Sequence, residues 1–327
     1  MKKMLFALTV FVCLFLVSCG RYWETKGIFT EIEKEIKLEP PTVQGNIFSI
    51  LEYDGDLYAG GGKVYRKAPS EIRGWSVFSD SPYGVVVRLA AGYHDGKEYL
   101  YALGAKQGTY KLFGHGGSGW TQIPVSGTIQ TIFSNNAVSR GSAANNRAFV
   151  TTSEEIYELT ENTTAPVSPD DTDNGALSGS EAAAYAGGQT YFSDSFAFTS
   201  DGTWLFDSSD GKIRYGNTIE SFSDGPSISN ATSLWACEGV LYIGTTGGAQ
   251  KVLYDENGVS GSSTVIPVPG DNADAAIGSY RIGAIYARKS GERTDIYAST
   301  IGYGTTYNNK NNGLWGYYST RDEWNRE

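Results

Sequence analysis

The feature that most constrains this chain is a hairpin pattern that recurs six times along it. In each copy an apolar run leads into a tight turn, and a second run that carries an aromatic residue follows. Four copies place an acidic residue before a glycine in the turn: Asp54-Gly55, Asp95-Gly96, Asp201-Gly202 and Glu238-Gly239. Two weaker copies lie at 129–150 and 282–298. Self-similarity of this kind indicates a repeat architecture with one small structural unit per copy.

The turn residues specify what each unit is. A two-residue hairpin between antiparallel strands needs positive φ at its central positions, which Asp-Gly tolerates and most other pairs do not. Several copies continue with a glycine and a third apolar run, starting at Gly62, Gly108 and Gly211. A fourth run then begins around a tryptophan: Trp75, Trp120 or Trp324. Each unit therefore reads as four antiparallel strands.

Four antiparallel strands in roughly 40–50 residues are typical of a propeller blade. We therefore predict an all-β fold, a single β-propeller of six four-stranded blades, with seven blades as the alternative if a strand from the segment around Trp23 to Ile32 joins the ring. A β-sandwich fits less well, because sandwiches do not repeat one strand order six times. The recurring aromatic positions are predicted to form the core between sheets: Tyr58, Tyr101, Phe149, Phe206, Tyr242 and Tyr297.

The composition agrees with short strands and argues against nucleic acid as a partner. The 327 residues include 41 Gly and are 40% apolar and 13% aromatic, which suits a folded chain with many turns. The formal net charge is −10. Binding to phosphate backbones needs a basic surface that such a chain lacks.

The N-terminus carries an export signal. Lys2 and Lys3 precede an apolar run that is too short to span a bilayer, and the run ends at Leu16-Val17-Ser18-Cys19. This segment resembles a bacterial lipoprotein signal, which implies that Cys19 becomes the lipidated N-terminus. We therefore divide the chain into a signal peptide at 1–18, a lipidated tether at 19–45 and a propeller at 46–327 with an insertion near 162–189.

Cleavage before Cys19 would leave Cys237 without a partner for an intramolecular disulfide. Of the 3 cysteines, Cys13 would leave with the signal peptide. Cys237 lies in an apolar run with no neighbouring histidine, so we expect a small buried side chain and not a nucleophile.

A candidate metal site lies in the predicted insertion. Residues 170–181 resemble the EF-hand calcium loop, with Asp170, Asn174, Gly175 and Glu181 at its first, fifth, sixth and twelfth positions. Thr172 departs from that pattern, and no clear helix precedes the loop. A solvated acidic loop without metal is the interpretation that we prefer, and calcium is the alternative. We expect no other cofactor.

No catalytic arrangement is recognisable. The 2 histidines, His94 and His115, lie beside glycine-rich turns, and we expect both to be exposed turn residues. Residues 199–204 resemble a shortened Asp-box of sialidase propellers, but the spacing is wrong and the clustered arginines of that chemistry are missing. We therefore expect a non-enzyme, with a glycosidase as a remote alternative.

These features favour a lipid-anchored binding protein of the bacterial envelope, located at the outer membrane and facing either the surface or the periplasm. In organisation the chain is similar to treponemal lipoproteins that bind fibronectin and laminin. That resemblance implies an adhesin-like function, with a protein or extracellular-matrix partner captured by propeller loops. The alternative is a periplasmic scaffold resembling the propeller lipoprotein of the outer-membrane assembly machine.

Overall fold

The computed structural model describes most of the chain after residue 41. The described residues are 42–69, 74–134, 146–152, 156–161, 163–166, 197–198, 203–207, 212–216, 223–227, 231–255, 258–265, 280–290, 293–301, 312–318 and 323–327. They contain strands and turns but no helix. Thr42–Glu327 forms one compact unit.

The strands of the first half of this unit follow one another in three sheets. The first sheet consists of β1 (Ile47–Tyr53), β2 (Asp56–Gly61), β3 (Lys63–Lys67) and β4 (Trp75–Asp80). The second consists of β5 (Val85–His94), β6 (Lys97–Lys106), β7 (Thr109–His115) and β8 (Trp120–Ile123). The third consists of β9 (Ile129–Ser134), β10 (Ala148–Thr152), β11 (Ile156–Thr160) and β12 (Thr163–Pro166).

The second half repeats the same order. The fourth sheet consists of β13 (Ala197–Phe198), β14 (Thr203–Asp207), β15 (Lys212–Gly216) and β16 (Ser223–Ser227). The fifth consists of β17 (Ala231–Cys237), β18 (Val240–Thr245), β19 (Gly248–Asp255) and β20 (Gly258–Val265). The sixth consists of β21 (Arg281–Ser290), β22 (Arg293–Ile301), β23 (Gly313–Tyr318) and β24 (Glu323–Arg326).

The predicted all-β class and the repeated four-stranded antiparallel unit are confirmed. Within each sheet the strands lie in sequence order, and every neighbouring pair is antiparallel. Neighbouring sheets meet through their first strands, since β5 contacts β1 and β9, and β21 contacts β17 and β1. Sheets that pack side by side through their first strands make a propeller-like arrangement.

Part of the segment that was expected to be an insertion belongs to a sheet. Thr163–Pro166 is β12 and pairs with β11 in the third sheet. The expected insertion, which begins near 162, therefore overlaps the last strand of the third sheet. The rest of the expected insertion, 167–189, lies outside the described residues.

The core lies between adjacent sheets, as the recurring aromatics predicted. Tyr58, Tyr101, Phe149, Tyr242 and Tyr297 are each at most 5% exposed. The side chain of the sixth member of this series, at position 206, lies outside the described residues. One apolar cluster joins the first and second sheets, a second joins the second and third, and a third joins the fifth, sixth and first. Cys237 is also buried, as predicted, and it is a free thiol.

A bulge recurs between the first and second strands of five sheets. The register shifts between Ile47 and Ser49, between Val86 and Arg88, and at the matching places of the third, fifth and sixth sheets. A bulge releases backbone groups from the ladder and turns the strand locally. Close to these two bulges the first and second sheets bond to each other: Arg88 Nη1 donates to the Phe48 carbonyl (2.8 Å), and the Leu89 amide donates to Ser49 Oγ (3.0 Å).

Glycines on the second strands permit this close approach. A Cβ at Gly60 would lie 2.7 Å from Val86 Cγ1 on the second sheet. A Cβ at Gly244 would lie 2.7 Å from Ile282 Cγ2 on the sixth sheet. Because real Cβ atoms do not approach this closely, larger residues here would push the sheets apart.

Candidate functional site

The turns after the first strands have the geometry that their sequence predicts. Three described turns combine an acidic residue and a glycine, both at positive φ: Asp54 (51°) with Gly55 (76°), Asp95 (49°) with Gly96 (78°), and Glu238 (50°) with Gly239 (73°). Positive φ at both central positions defines a primed turn, whose twist matches that of the flanking strands. These three hairpins are therefore tight two-residue turns.

Hydrogen bonds connect the hairpins of the first and second sheets. The Asp54 amide donates to Glu98 Oε2 (2.7 Å), and the Tyr53 hydroxyl donates to the backbone carbonyl of Glu98 (3.2 Å). Glu98 is the second residue of β6, immediately after the second sheet's hairpin. The two hairpins consequently lie side by side at the same end of their sheets.

Equivalent bonds connect the second sheet to the third. The Tyr93 amide donates to the Asn146 carbonyl (2.6 Å), and Asn146 Nδ2 donates to the Ala91 carbonyl (2.8 Å). Asn146 is 2% exposed and precedes β10 by two residues. It therefore fixes the start of the third sheet's second strand against the end of β5.

The fifth, sixth and first sheets are connected at the same end. Trp235 Nε1 donates to the Ala287 carbonyl (2.6 Å), and the Tyr286 hydroxyl donates to Glu52 Oε2 (2.8 Å). Trp235 and Glu52 lie shortly before their own hairpins. We call the surface formed by residues 53–56, 93–98 and 237–240 the hairpin face.

The hairpin face carries exposed acidic side chains. Asp54, Asp95 and Glu238 are exposed at the turns themselves, and Lys97 is an exposed base among them. Glu98 is partly buried; burial raises its pKa, and the nearby Asp54 and Glu52 carboxylates raise it further. An acidic surface of this kind attracts basic groups.

A second feature is a central cavity of about 80 Å³, on which first strands converge. Its described wall consists of short consecutive stretches: 49–51, 88–89, 132–134, 233–235 and 284–285. Successive side chains of a strand point to opposite faces, so consecutive residues in a wall mean that the cavity meets strand edges. Each of these strands pairs within its sheet on one side only. The other edge brings backbone donors and acceptors to the cavity.

The wall includes four polar residues. They are Ser49, Arg88, Ser134 and Ser233. Ser233 is 5% exposed, and its Oγ has no hydrogen-bond partner among the described residues. The described wall contains no carboxylate. Sequence analysis missed this cavity because no motif marks it; aligning the repeats at their bulges would have shown polar residues at matching positions.

The predicted lipidation and calcium residues lie outside the described residues. This applies to Cys19 and to Asp170, Asn174 and Glu181. Within the described ranges, no three His, Cys, Asp or Glu side chains are grouped as a metal ion would need. The same ranges contain no helix of the length and apolarity that crossing a membrane requires.

The prediction that both histidines are exposed turn residues is wrong for His115. It ends β7, and its ring lies 4.8 Å from that of Phe78 and 5.1 Å from that of Trp120, centroid to centroid. Burial between these aromatics lowers the pKa of His115. His94 ends β5 and lies 3.3 Å from the Asp95 carboxylate, with 40% of its side chain exposed. The two rings belong to different places and form no joint site.

No family model matches the chain. A curated relative, the "Uncharacterized lipoprotein" of Treponema pallidum (strain Nichols), is 27% identical over 123 residues, which are 37% of this chain and 25% of that protein. The chain thus matches a quarter of that relative's length. The relative is a lipoprotein by name, and its name says nothing of a partner.

Solved structures with a similar arrangement include two enzymes. The streptogramin B lyase structure is 15% identical, with a TM-score of 0.45 over 89% of this chain and 85% of that one. A putative oxidoreductase (glucose dehydrogenase) of Thermus thermophilus is 15% identical, with a TM-score of 0.49 over 83% and 96%. YCF48 of Cyanidioschyzon merolae is 14% identical, with a TM-score of 0.42 over 89% and 87%. Such identities carry no information on ligand or reaction.

Proposed function

We propose that this chain is a lipid-anchored, non-catalytic binding protein of the bacterial envelope. Its six sheets close into a six-bladed propeller, and its hairpin face captures a protein partner with a basic surface. The observation that supports this most directly is the set of hydrogen bonds that hold hairpins of neighbouring sheets together. A surface fixed in this way is preformed, so binding costs little conformational entropy.

The anchor is proposed from Cys19 and from the lipoprotein relative. Replacing Cys19 by Ala should abolish lipid labelling and move the protein from the detergent phase to the aqueous phase. Cys237→Ala is the matched control, because this buried thiol should leave the partition unchanged. Labelling that persists in Cys19→Ala would reject this anchor.

The partner class is proposed from charge. Purified fibronectin and laminin are the probes, with binding of the folded chain measured by interferometry at several salt concentrations. A triple variant, Asp54→Asn, Asp95→Asn and Glu238→Gln, removes three exposed carboxylates and leaves the turn glycines in place. We expect binding to weaken at least about tenfold in this variant, and binding of the parent to weaken as salt rises.

The control removes an exposed acid at the opposite end of the sheets. Asp80, with 88% of its side chain exposed, ends β4 opposite Lys63, the first residue of β3, away from the hairpins that follow the first strands. Asp80→Asn should bind like the parent. Equal losses in both variants would indicate a net-charge effect and reject the hairpin face. If the parent binds neither protein, the matrix partner is rejected.

A further inference from the structure

The two ends of the first and second sheets carry opposite charge. The first strands run toward the hairpin face, so the turns between second and third strands lie at the other end, beside the beginnings of the first strands. We call the described surface at that end the entry face; it consists of residues 44–46, 62–63, 80–84 and 106–111. Its charged residues are three lysines and one acid: Lys63, Lys106, Lys111 and Asp80. The entry face is therefore basic, whereas the hairpin face is acidic.

Two of these lysines have no acidic partner among the described residues. Lys63 lies 3.9 Å from Asp80, and both side chains are well exposed. Lys106 is exposed and Lys111 is partly exposed, and neither forms an ion pair with a described residue. Their charges are consequently available to a partner outside the fold.

The fold holds these two lysines side by side. A Cβ at Gly104 would lie 2.8 Å from Tyr83 Cβ, so the missing side chain lets Tyr83 pack on β6. Lys111 lies opposite Gly104 in the ladder, and its Nζ is 4.9 Å from the centroid of the Tyr83 ring. Lys106 lies two residues after Gly104 and therefore on the same side of the sheet, as the diagonal neighbour of Lys111. A cation–π contact and a shared strand pair thus fix the position of the pair.

Exposed aromatic surface accompanies this charge. Tyr110 lies next to Lys111 and is 43% exposed, which is unusual for a large apolar side chain in this chain's strands. Tyrosine is favoured where a membrane meets water, because its ring is apolar and its hydroxyl is polar. Lysines near an anionic bilayer are attracted to its surface. Lysine and tyrosine together therefore suit a surface that rests on anionic lipid.

The segment that leads to the proposed anchor joins the fold at this same end. The Asn46 carbonyl lies against Gly61 at the end of β2, just before β1 begins. The Gln44 amide donates to the Tyr65 hydroxyl (3.2 Å), which fixes the chain at this entry point. Residues 20–41 connect Cys19 to it, and a chain of that length can span at most roughly 75 Å. Such a tether keeps the fold near the membrane without selecting a face, so surface charge can select it.

From these observations we propose that the entry face rests on anionic lipid headgroups of the membrane that holds the anchor. Lys106 and Lys111 contact headgroup phosphates, and Tyr110 lies at the boundary between headgroups and water. The hairpin face then points away from the membrane, where its carboxylates are not repelled by anionic lipid and can reach a partner. This inference rests on the lipid-anchored function proposed above.

The test uses the lipidated full chain, reconstituted into vesicles and labelled with a dye whose emission shifts on contact with a membrane. Thr109→Cys places the dye on the entry face and Lys97→Cys places it on the hairpin face; both positions are exposed, and Cys237 is buried. We expect a shift only at position 109, only when the phosphatidylcholine vesicles also contain phosphatidylglycerol, and less of it as salt rises. No shift at position 109, or equal shifts at both positions, would overturn the proposal. Failure to incorporate into vesicles would reject the anchor and this proposal with it, whereas incorporation without a shift would reject the entry face alone.

Charge variants in the Thr109→Cys chain show which lysines are responsible. Lys106→Gln with Lys111→Gln should lower the ratio of membrane-contacting to free dye at least about tenfold. Lys97→Gln with Lys289→Gln is the matched control, because it removes two exposed lysines at the hairpin end of the second and sixth sheets. It should leave the ratio unchanged, and equal losses in the two variants would overturn the proposal. A shift caused by soluble polyglutamate but not by anionic vesicles would assign the entry face to an acidic protein and would also overturn it.

Discussion

A buried ion pair joins the first sheet to the last, and breaking it tests the contact between them. Lys67 ends β3, and its Nζ lies 2.9 Å from Glu327 Oε2; the two side chains are 6% and 5% exposed. The Lys67 ammonium also lies 5.8 Å and 5.2 Å from the ring centroids of Trp75 and Tyr297. The backbone of Glu327 is fixed by bonds from Val43 and to Leu314. Several elements therefore depend on one buried cation.

Replacing Lys67 by Met keeps most of the side-chain volume but removes the charge. The Glu327 carboxylate then stays in a buried place without its cation, which typically costs about 3–5 kcal/mol. For a folded unit of this size, 1 kcal/mol corresponds to about 2 °C in melting temperature, so we expect a fall of roughly 6–10 °C. Circular dichroism during heating measures it.

Two further variants decide whether burial is the cause. Lys63 lies in the same strand and pairs with Asp80 at 3.9 Å, but those side chains are 50% and 88% exposed. Lys63→Met should cost at most about 1 kcal/mol, because exposed pairs contribute little. Combining Lys67→Met with Glu327→Leu should recover most of the loss, since an apolar pair can replace a buried ion pair. If Lys67→Met and Lys63→Met melt alike, the reasoning is refuted.

Three other predictions follow from burial. Tyr242 is 5% exposed, and Tyr242→Ala should lower the free energy of unfolding by about 3–5 kcal/mol in chemical denaturation. Tyr110 is 43% exposed, and Tyr110→Ala should change that free energy by well under about 1 kcal/mol. Similar losses in the two variants would contradict the assigned core. Burial raises the pKa of Cys237 to about 11, so its thiol should react with a disulfide reagent at pH 8 only after unfolding, and reductant should leave the melting temperature unchanged. Burial lowers the pKa of His115 below its usual 6.5, so the unfolded chain binds the proton more readily than the folded chain does. The stability of the fold should therefore fall as pH drops through and below 6.5. His115→Gln should make the melting temperatures at pH 7 and pH 5 more alike.

The part of the fold that could be predicted from the sequence follows from rules that act over a few residues. The Asp-Gly turns needed only the preference for positive φ, and Asp54 and Asp95 have that conformation. Strand order within each sheet follows from short turns, which leave neighbouring strands no choice but to pair. The buried aromatics followed from their recurrence at one place in the repeat, as Tyr101 and Tyr297 show.

Contacts between sheets could not be predicted, because they join residues that are far apart in sequence. Asp54 bonds to Glu98, and His115 lies against Phe78 of another sheet. The glycine-rich neighbours of His115 predicted an exposed turn residue, whereas packing between sheets places its ring among aromatic side chains. The pairing of Lys67 with Glu327 spans 260 positions, and no local sequence pattern predicts it.

The sequence by itself determined the repeating unit: its four strands, its turns and the face of each strand that is buried. These depend on backbone preferences and on side-chain period, which act over a few residues. The tertiary structure alone decided where strand edges without partners meet, and so created the cavity beside Arg88 and Ser233. The reason is geometric. The outer edge of each first strand has no partner within its own sheet, and these edges form one shared wall only when the sheets pack around them.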